Sequence, residues 1–512
     1  MPPPFRSPGS RRSGGLGTIE SLSHALLLVG VLVAAGCQRG DDTDASPAPV
    51  DSRESGPAPD TGDTGPDTAS WFFTDVTFAP SGVVPTVVTV SWQTVEPATC
   101  TLSYGPTGDL GFTTVEGGPP STRHEVALVG LAPETTGGLI LRAQVGDATL
   151  ASAEQAFTTG ALPVGVPDVE VEIFDPERAF QGFTLMPLID DPGWKSWICV
   201  LDPDGVVVWA YPARHGANRA RLAPDGGGIL YLDVDNDPES ETILGAVYSV
   251  AWDGTERWRL ARSDLHHDFA ILGEDRFVAL GTTARDYDVG LPTQRRLRGD
   301  TLIEFDSAGN AQVIWDIFDA LDPGEIPTTV TGEDPGTGTW DWSHGNYLTW
   351  LPERGELLIV FRSLDAIVAV EPDSGDVTWT LSNTWGTYRA PDGATLLDAP
   401  HSAEIVDGGL ATFSQTVFPF GSDCSWGSIL ALDAAHGTAT ETWRYETEDC
   451  AQVSYLGSTH PLPNGNELVV FSQAEHVDEV TPEGEVVRRV RSREGMVLAY
   501  AHPTLSLQPI AY

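Results

Sequence analysis

Two residues that can carry charge interrupt the strand-like stretch "DWSHGNYLTWLPERGELLIVFRS", which runs from Asp341 to Ser363. It reads as two extended runs joined by a turn at "PERG", with His344 early in the first run and Arg362 late in the second. Glu353, in the turn, is midway between them. The pattern therefore predicts that they face each other across an antiparallel strand pair, with Cβ atoms roughly 5 Å apart. A guanidinium can hold two oxygens of an anion at once, so this pair suits an anionic substrate.

Two more histidines share the register of His344 when similar strands are aligned: His267 in "HDFAIL" and His401 in "HSAEIV". A single inward histidine is usually a hydrogen-bonded structural residue, whereas three in register with an arginine favour a functional cluster. The same alignment predicts small residues opposite the other two histidines, namely Gly281, Thr282 and Ser414.

A three-histidine zinc site is the competing interpretation of this cluster. A fixed guanidinium beside a metal cation costs Coulomb energy, so Arg362 disfavours it. We expect no metal, although Asp268 and Asp341 could still serve as ligands or as orienting partners.

A repeat in the region 167–512 indicates the elements that position these residues. A hydrophobic strand, an acidic turn with glycine and then a tryptophan recur, as in "LDPDGVVVW" and "EPDSGDVTW", with arginine replacing tryptophan in the sixth copy. The copies are roughly 47 to 66 residues apart, which is enough for four short strands each and predicts a six-bladed β-propeller. His267, His344 and His401 then lie on the inner strands of blades three, four and five. The first blade, with "GFTLMPLI" as its predicted inner strand, has no histidine there. A hairpin turn of this kind needs a residue with positive φ, which we expect at the six turn glycines: Gly205, Gly254, Gly309, Gly375, Gly437 and Gly484.

Residues 71–160 show short alternating strands separated by turn signals, which predicts a small β-sandwich before the propeller. Trp92 on an early strand and "LAPETT" resemble a fibronectin type III domain. The expected fold class is therefore all-β.

The N-terminal residues 1–37 predict a lipoprotein signal peptide, because arginines precede the short apolar run "ALLLVGVLVAAGC". Its ending resembles a bacterial lipobox, with acylation at Cys37; an ordinary secretory signal is the alternative. Residues 38–70 are rich in Asp, Pro, Gly and Thr and predict a disordered tether. We expect a protein lipid-anchored to the cell envelope, with Gln38 favouring the outer membrane, and facing the periplasm or the cell exterior.

An exported protein can form disulfides, and Cys424 and Cys450 lie in one segment and are the expected pair. Cys100 and Cys199 fall in different predicted domains and should stay buried thiols. The chain has 28 Lys and Arg against 73 Asp and Glu, a net charge of −45. Such a charge disfavours a nucleic-acid partner, because phosphate binding needs a basic surface. Nothing in the sequence predicts the oligomeric state.

The segments "HHDFAILGEDRFVAL", "DWSHGNYLTWLPERGELLIVFRS", "PHSAEIVDGGLATF" and "THPLPNGNELVVFS" resemble successive blades of bacterial arylsulfotransferases over roughly residues 170–505. The resemblance implies sulfuryl transfer from a phenolic sulfate to another phenol in a six-bladed propeller, without a cofactor. It further implies that His401 is transiently sulfated, that His267 and His344 support it and that Arg362 binds the anion. Either supporting histidine could then be the general acid. "DAP" before His401 departs from the family, where a polar residue such as Gln is commoner.

Two other functions remain open from the sequence. One is a non-catalytic surface lipoprotein whose propeller binds a ligand or a protein. The other is a quinone-dependent dehydrogenase, because the tryptophan repeat resembles the docking motif of quinoproteins. The six copies and the histidines in register favour the sulfotransferase.

Overall fold

The computed structural model describes residues 69–115, 118–146, 148–190, 195–234, 245–287, 295–326, 333–334, 338–415 and 424–507. The predicted signal peptide, Cys37 and nearly all of the predicted tether lie outside these residues. The fold is all-β, as predicted. No helix in these ranges is both long enough and apolar enough to span a bilayer.

The first folded region is a β-sandwich of two antiparallel sheets. Its strands are Phe73–Pro80 (β1), Val88–Ala98 (β2), Cys100–Pro106 (β3), Phe112–Val115 (β4), Ser121–Leu128 (β5), Thr136–Val145 (β6), Ala148–Ala151 (β7) and Gln155–Thr158 (β8). The strand orders are β1-β2-β5 and β4-β3-β6-β7, with β8 paired to β6. The core includes Trp92, which is 2% exposed. Val84, Val87 and Val129 pack against the first two propeller blades.

The remaining strands form a six-bladed propeller. A leading strand, Val169–Phe174 (β9), comes before the first blade. Blade one contains Phe183–Asp190 (β10), Lys195–Leu201 (β11) and Val207–Pro212 (β12). Blade two contains Gly216–Leu222 (β13), Gly228–Val234 (β14), Gly245–Ala251 (β15) and Glu256–Arg262 (β16). Blade three contains Leu265–Gly273 (β17), Arg276–Tyr287 (β18), Arg295–Phe305 (β19), Ala311–Asp316 (β20), the short helix Ile317–Ala320 (α1), Glu333–Asp334 (β21) and Thr339–Asp341 (β22).

Blades four and five belong to one nine-stranded sheet, joined through a two-residue strand. Their strands are Gly345–Leu351 (β23), Glu356–Phe361 (β24), Ala366–Val370 (β25), Val377–Ser382 (β26), Tyr388–Arg389 (β27), His401–Val406 (β28), Gly409–Ser414 (β29), Trp426–Asp433 (β30) and Thr438–Tyr445 (β31). Blade six and the closing strands are Ser458–Pro461 (β32), Glu467–Phe471 (β33), His476–Val480 (β34), Val486–Ser492 (β35), Met496–Leu498 (β36) and His502–Thr504 (β37).

Both ends of the propeller chain close the ring. Strand β9 pairs with β35 at the outer edge of blade six, while β36 and β37 pair with β10. The innermost strands of blade one therefore come from the C-terminus. The prediction that "GFTLMPLI" is the inner strand of blade one is wrong, because these residues form the second strand of that blade. The error has a physical cause, since pairing between chain ends leaves no local pattern.

The repeated turn has the predicted geometry. All six turn glycines have positive φ, between 64° at Gly437 and 88° at Gly484, a conformation that other residues adopt only at a cost. The tryptophans that follow contact the next blade at three places: Trp209 Nε1 donates to the carbonyl oxygen of Trp252 at 2.8 Å, and Trp258 and Trp315 pack on phenylalanines. The repeat thus holds neighbouring blades together.

Candidate active site

One cavity of about 680 Å³ in the propeller is lined by His267, His344, His401 and Arg362. His267 lies near the start of β17, His344 immediately precedes β23, and His401 begins β28. The structure therefore brings the four predicted residues together. His215 and His460, which the register excluded, do not line this cavity.

His344 and Arg362 face each other as the symmetry of the turn predicts. Gly345 pairs with Phe361, and the backbone N–H of Arg362 donates to the carbonyl oxygen of His344 at 3.0 Å. The strand pair thus fixes the distance between one imidazole and the only guanidinium of the predicted set.

Backbone irregularities aim the three histidines into the cavity. The pairing register shifts between Leu265 and Phe269, between Gly345 and Tyr347, and between His401 and Ala403. His267 and His344 have φ of 54° and 53°, and Ser402, beside His401, has φ of 61°. Such bulges and left-handed residues re-aim side chains, and strain of this kind concentrates at functional sites.

His401 is held as a neutral imidazole with a defined tautomer. Its Nδ1 lies 3.1 Å from the carbonyl oxygen of Ala399, so Nδ1 carries the proton and Nε2 keeps the lone pair. The ring is 2% exposed. Burial lowers the pKa of His401 well below its ordinary value, and the charge of Arg362 lowers it further. A neutral ring is the nucleophilic form.

Gln415 connects this imidazole to Arg362. Its Oε1 accepts from Arg362 Nε at 3.3 Å, while its Nε2 donates to the carbonyl oxygen of Leu456 at 2.7 Å and contacts His401 Nε2 at 3.2 Å. The prediction that small Ser414 leaves open space beside His401 is wrong here. The bulge at Ser402 pairs His401 with Phe413. Gln415, which directly follows strand β29, then contacts the His401 ring.

Arg362 supplies positive charge to the cavity. It forms no ion pair with any described carboxylate, and burial lowers its pKa from the ordinary value against the charges of Asp341, Asp365 and Asp398. An arginine in this condition can offer its remaining N–H groups to an anion in the cavity.

His344 is paired with a carboxylate instead. Its Nδ1 lies 2.5 Å from Asp341 Oδ2, and Arg298 Nη2 approaches the same oxygen at 2.9 Å. The hydrogen bond from His344 and the charges of His344 and Arg298 lower the pKa of Asp341 despite its burial. Asp341 therefore accepts the Nδ1 proton, so His344 Nε2 is the ring nitrogen left for a substrate.

His266 is a site residue that the register comparison missed. Its Nδ1 lies 2.8 Å from His267 Nδ1, and its Nε2 lies 3.1 Å from Asp300 Oδ1. All three residues line the cavity. The doubled histidine in "HHDFAIL" was the available signal, but strand alternation assigns adjacent residues to opposite faces. The bulge at His267 removes that alternation.

Polar side chains from several blades meet further along the same inner strands. Arg219 Nη2 donates to the hydroxyl of Tyr347 at 3.2 Å, and that hydroxyl donates to Glu404 at 2.7 Å. Tyr347 also packs edge-on against Tyr500 of the closing segment, and Arg219 Nε lies 3.4 Å from Asp268. We call this set the channel floor: Arg219, Asp268, Tyr347, Glu404 and Tyr500. Asp268, which the sequence left open as a ligand or an orienting partner, lies in this set and does not line the cavity.

In the residues that the structure describes, no group of three or more His, Cys, Asp or Glu side chains is arranged to hold a metal ion. The rings of His267 and His344 meet at 65° with centroids 5.0 Å apart.

The Cys424–Cys450 disulfide is present, and it lies next to the segment that ends at Leu456. The backbone N–H of Ser425 donates to the carbonyl oxygen of Ala451, and the N–H of Val453 donates to Ser425 Oγ. The bridge thus ties the segment that supports Gln415. Cys100 and Cys199 are buried thiols, as expected.

Residues 176–399 match the family model of arylsulfotransferases (ASST). The matched range includes His267, His344 and Arg362 and ends just before His401. The match supports the arylsulfotransferase family and an aryl sulfotransferase-type function. It does not extend to the β-sandwich, whose fibronectin type III character stays a prediction.

No curated protein matches the chain. Several solved structures are similar to it. The dihydro-heme d1 dehydrogenase NirN is 12% identical over 64% of this chain and 75% of its own, with a TM-score of 0.32. The soluble aldose sugar dehydrogenase from Escherichia coli is 14% identical over 64% of this chain and 100% of its own, with a TM-score of 0.31. Scores this low carry no argument about function.

Proposed function

We propose that the protein transfers a sulfuryl group from an aryl sulfate to a phenol through a sulfated His401. The observation that carries this proposal is one cavity in which Gln415 bridges a neutral imidazole with a defined tautomer and Arg362, a cation that forms no ion pair with the described carboxylates. A nucleophile beside an anion-binding group is what attack on a sulfate ester requires.

In the first half-reaction, His401 Nε2 attacks the sulfur of the donor. The N–S bond forms as the S–O bond to the aryl group breaks, and the electron pair of that bond leaves on the phenolate oxygen. Arg362 and His344 neutralise charge on the sulfuryl oxygens. A phenol has a pKa of about 10, so its oxygen needs a proton at neutral pH, and a histidine in the cavity donates it.

In the second half-reaction, an acceptor phenol gives its proton back to that histidine. The phenolate oxygen attacks sulfur, the N–S bond breaks, and His401 Nε2 recovers its lone pair. Attack in the first step requires His401 to give up its contact with Gln415, so that amide exchanges partners during each cycle.

The test compares the wild-type protein with His401→Ala, using phenyl sulfate as donor and a second phenol as acceptor. We expect wild type to release phenol and to carry a sulfuryl group on the peptide that contains His401, as seen by mass spectrometry. His401→Ala should do neither. The matched control is His436→Ala, which changes an exposed histidine. Wild-type rates in His401→Ala would contradict the mechanism, and an inactive wild type would favour a ligand-binding propeller.

We also propose that Cys37 anchors the protein to the cell envelope through lipid. The lipobox-like sequence and the polar tether that follows support this proposal. Cys37→Ala should move the protein from the membrane fraction to the soluble fraction of a bacterial expression host. Retention in the membrane fraction would contradict the anchor.

A further inference from the structure

A chain of three side chains leads from a buried carboxylate to the cavity. Asp300, which is 3% exposed, is fixed by bonds to one of its oxygens: Oδ2 accepts from the backbone N–H of Gly345 at 2.8 Å and from the hydroxyl of Ser343. Its other oxygen, Oδ1, faces His266 Nε2 at 3.1 Å. His266 Nδ1 then meets His267 Nδ1 at 2.8 Å, and His267 faces the cavity.

Two facing Nδ1 atoms can form a hydrogen bond only when one of them carries a proton and the other does not. Asp300 Oδ1 accepts a hydrogen bond from the Nε2–H of His266, and one further proton is shared between the two Nδ1 atoms. We propose that Asp300, His266 and His267 form a proton relay that protonates the departing phenolate oxygen and later deprotonates the acceptor phenol. This inference rests on the proposed function and names its acid and base.

The proton balance closes over one cycle. In the proposed starting state the two rings hold three protons: one on His266 Nε2 facing Asp300, one between the two Nδ1 atoms and one on His267 Nε2. When phenolate leaves, His267 Nε2–H goes to the phenolate oxygen and the His266 Nδ1 proton moves to His267 Nδ1. Both rings are then neutral, and His267 Nε2 has a lone pair that accepts the proton of the acceptor phenol, which restores the first state.

The surroundings of His267 explain why it needs a partner for proton transfer. Burial lowers the pKa of His267 well below its ordinary value, and His344, His266 and His401 all lower it further, while Asp341 opposes them. His266 lies between His267 and Asp300, with its Nε2 3.1 Å from the carboxylate oxygen. The relay thus passes the Nδ1 proton of His267 to and from a ring that is bonded to a carboxylate.

The same reasoning separates His344 from this role. Its carboxylate, Asp341, is shared with Arg298, and its Nδ1 is committed to that carboxylate. Among the described residues no second imidazole is hydrogen-bonded to His344, so it lacks the partner that returns a proton to His267, and we assign it with Arg362 to the sulfuryl oxygens.

The experiment measures single-turnover release of phenol from two donors, phenyl sulfate and 4-nitrophenyl sulfate, whose leaving group is far more acidic. In His266→Phe, a ring of similar shape without nitrogens, we expect release from phenyl sulfate to slow by about 100-fold or more, while release from 4-nitrophenyl sulfate slows by less than about threefold. A merely structural residue would slow both donors equally. The control is His436→Phe, with both rates unchanged.

Each outcome decides the proposal. The relay alone is overturned if His266→Phe slows release from both donors equally or from neither. It is also overturned if only His344→Gln slows release from phenyl sulfate selectively. A wild type that releases phenol from neither donor overturns the proposed function and the relay together. If His266→Phe lacks a cooperative thermal transition, Asp300→Asn replaces it. Its amide oxygen can still accept from Gly345, but its amide nitrogen then faces His266 Nε2 as a second donor, so the hydrogen bond that anchors the relay is lost and the same donor-selective loss is expected.

Discussion

Arg362 donates its backbone N–H to the carbonyl oxygen of His344 at 3.0 Å, so the main chain joins two residues whose side chains both line the cavity. Because the backbone sets their separation, the chemistry of each side chain can be tested without disturbing the strand pair.

Arg362→Lys should lower kcat/KM for an aryl sulfate by about 100-fold to about 1,000-fold, the range found when one oxyanion-binding group is lost. Lysine keeps the charge but not the planar fork, and its Nζ cannot both contact Gln415 and hold two sulfuryl oxygens. The measurement is steady-state kinetics with phenyl sulfate. Arg354→Lys, in the exposed turn of the same hairpin, is the control and should match wild type. Equal activity of the two variants would show that the fork is not used.

Gln415→Leu should lower kcat/KM by about 10-fold to about 100-fold, because Arg362 Nε and His401 Nε2 both lose a partner. Leucine has a similar size, so the packing changes little. Exposed Gln312→Leu is the matched control. If Gln415→Leu retains wild-type kinetics, the glutamine neither positions the guanidinium nor fixes the imidazole.

Stability should decline on the acid side of neutrality. Burial lowers the pKa values of His267, His401 and His460, and it lowers that of His502 to about 3. Unfolded histidine has a pKa of about 6.5, so below that pH the unfolded chain binds more protons than the folded one. The contribution of these histidines to the free energy of unfolding is therefore complete above about pH 6.5 and is lost progressively as the pH falls below it.

The measurement is denaturant unfolding across this pH range. His502→Phe should reduce the pH slope by up to about one proton, while exposed His436→Gln should leave it unchanged. An unaltered slope in His502→Phe would mean that this histidine also protonates in the folded state.

Removing the Cys424–Cys450 disulfide should weaken both stability and catalysis. The bridge closes a loop with a sequence separation of 26 residues, for which loop entropy predicts roughly 3 kcal/mol of stabilisation. Activity should fall as well, because Gln415 donates to Leu456 in the tethered segment. A reductant should lower the activity of wild type but not that of a Cys424→Ser, Cys450→Ser double variant. Equal sensitivity of the two would place the effect elsewhere.

The propeller was predictable because its signal is local and repeated. Each blade carries its own turn glycine, and each of these glycines has the expected positive φ. The position of His344 opposite Arg362 was also predictable, since a short hairpin fixes its own register. Pairing between distant parts of the chain was not predictable, because no local pattern indicates that the inner strands of blade one come from the C-terminus.

The supporting residues of the site were hidden for a related reason. His266 reaches His267 because the strand bulges between Leu265 and Phe269, and Gln415 reaches His401 because of the bulge at Ser402. The alignment of strands that located the three histidines assumes a regular alternation of faces, and such an alternation excludes both contacts. The residues that position the chemistry lie where the regular pattern breaks.

The channel floor bears on how substrates exchange under the proposed function. The hydroxyl of Tyr347 bonds to both Arg219 and Glu404, so these side chains join the inner strands of blades two, four and five. We expect this network to close its end of the channel, so that donor, departing phenol and acceptor all pass through the other end. The acceptor then binds only after the first phenol has left. The order of turnover follows from the shape of the cavity as well as from the histidines.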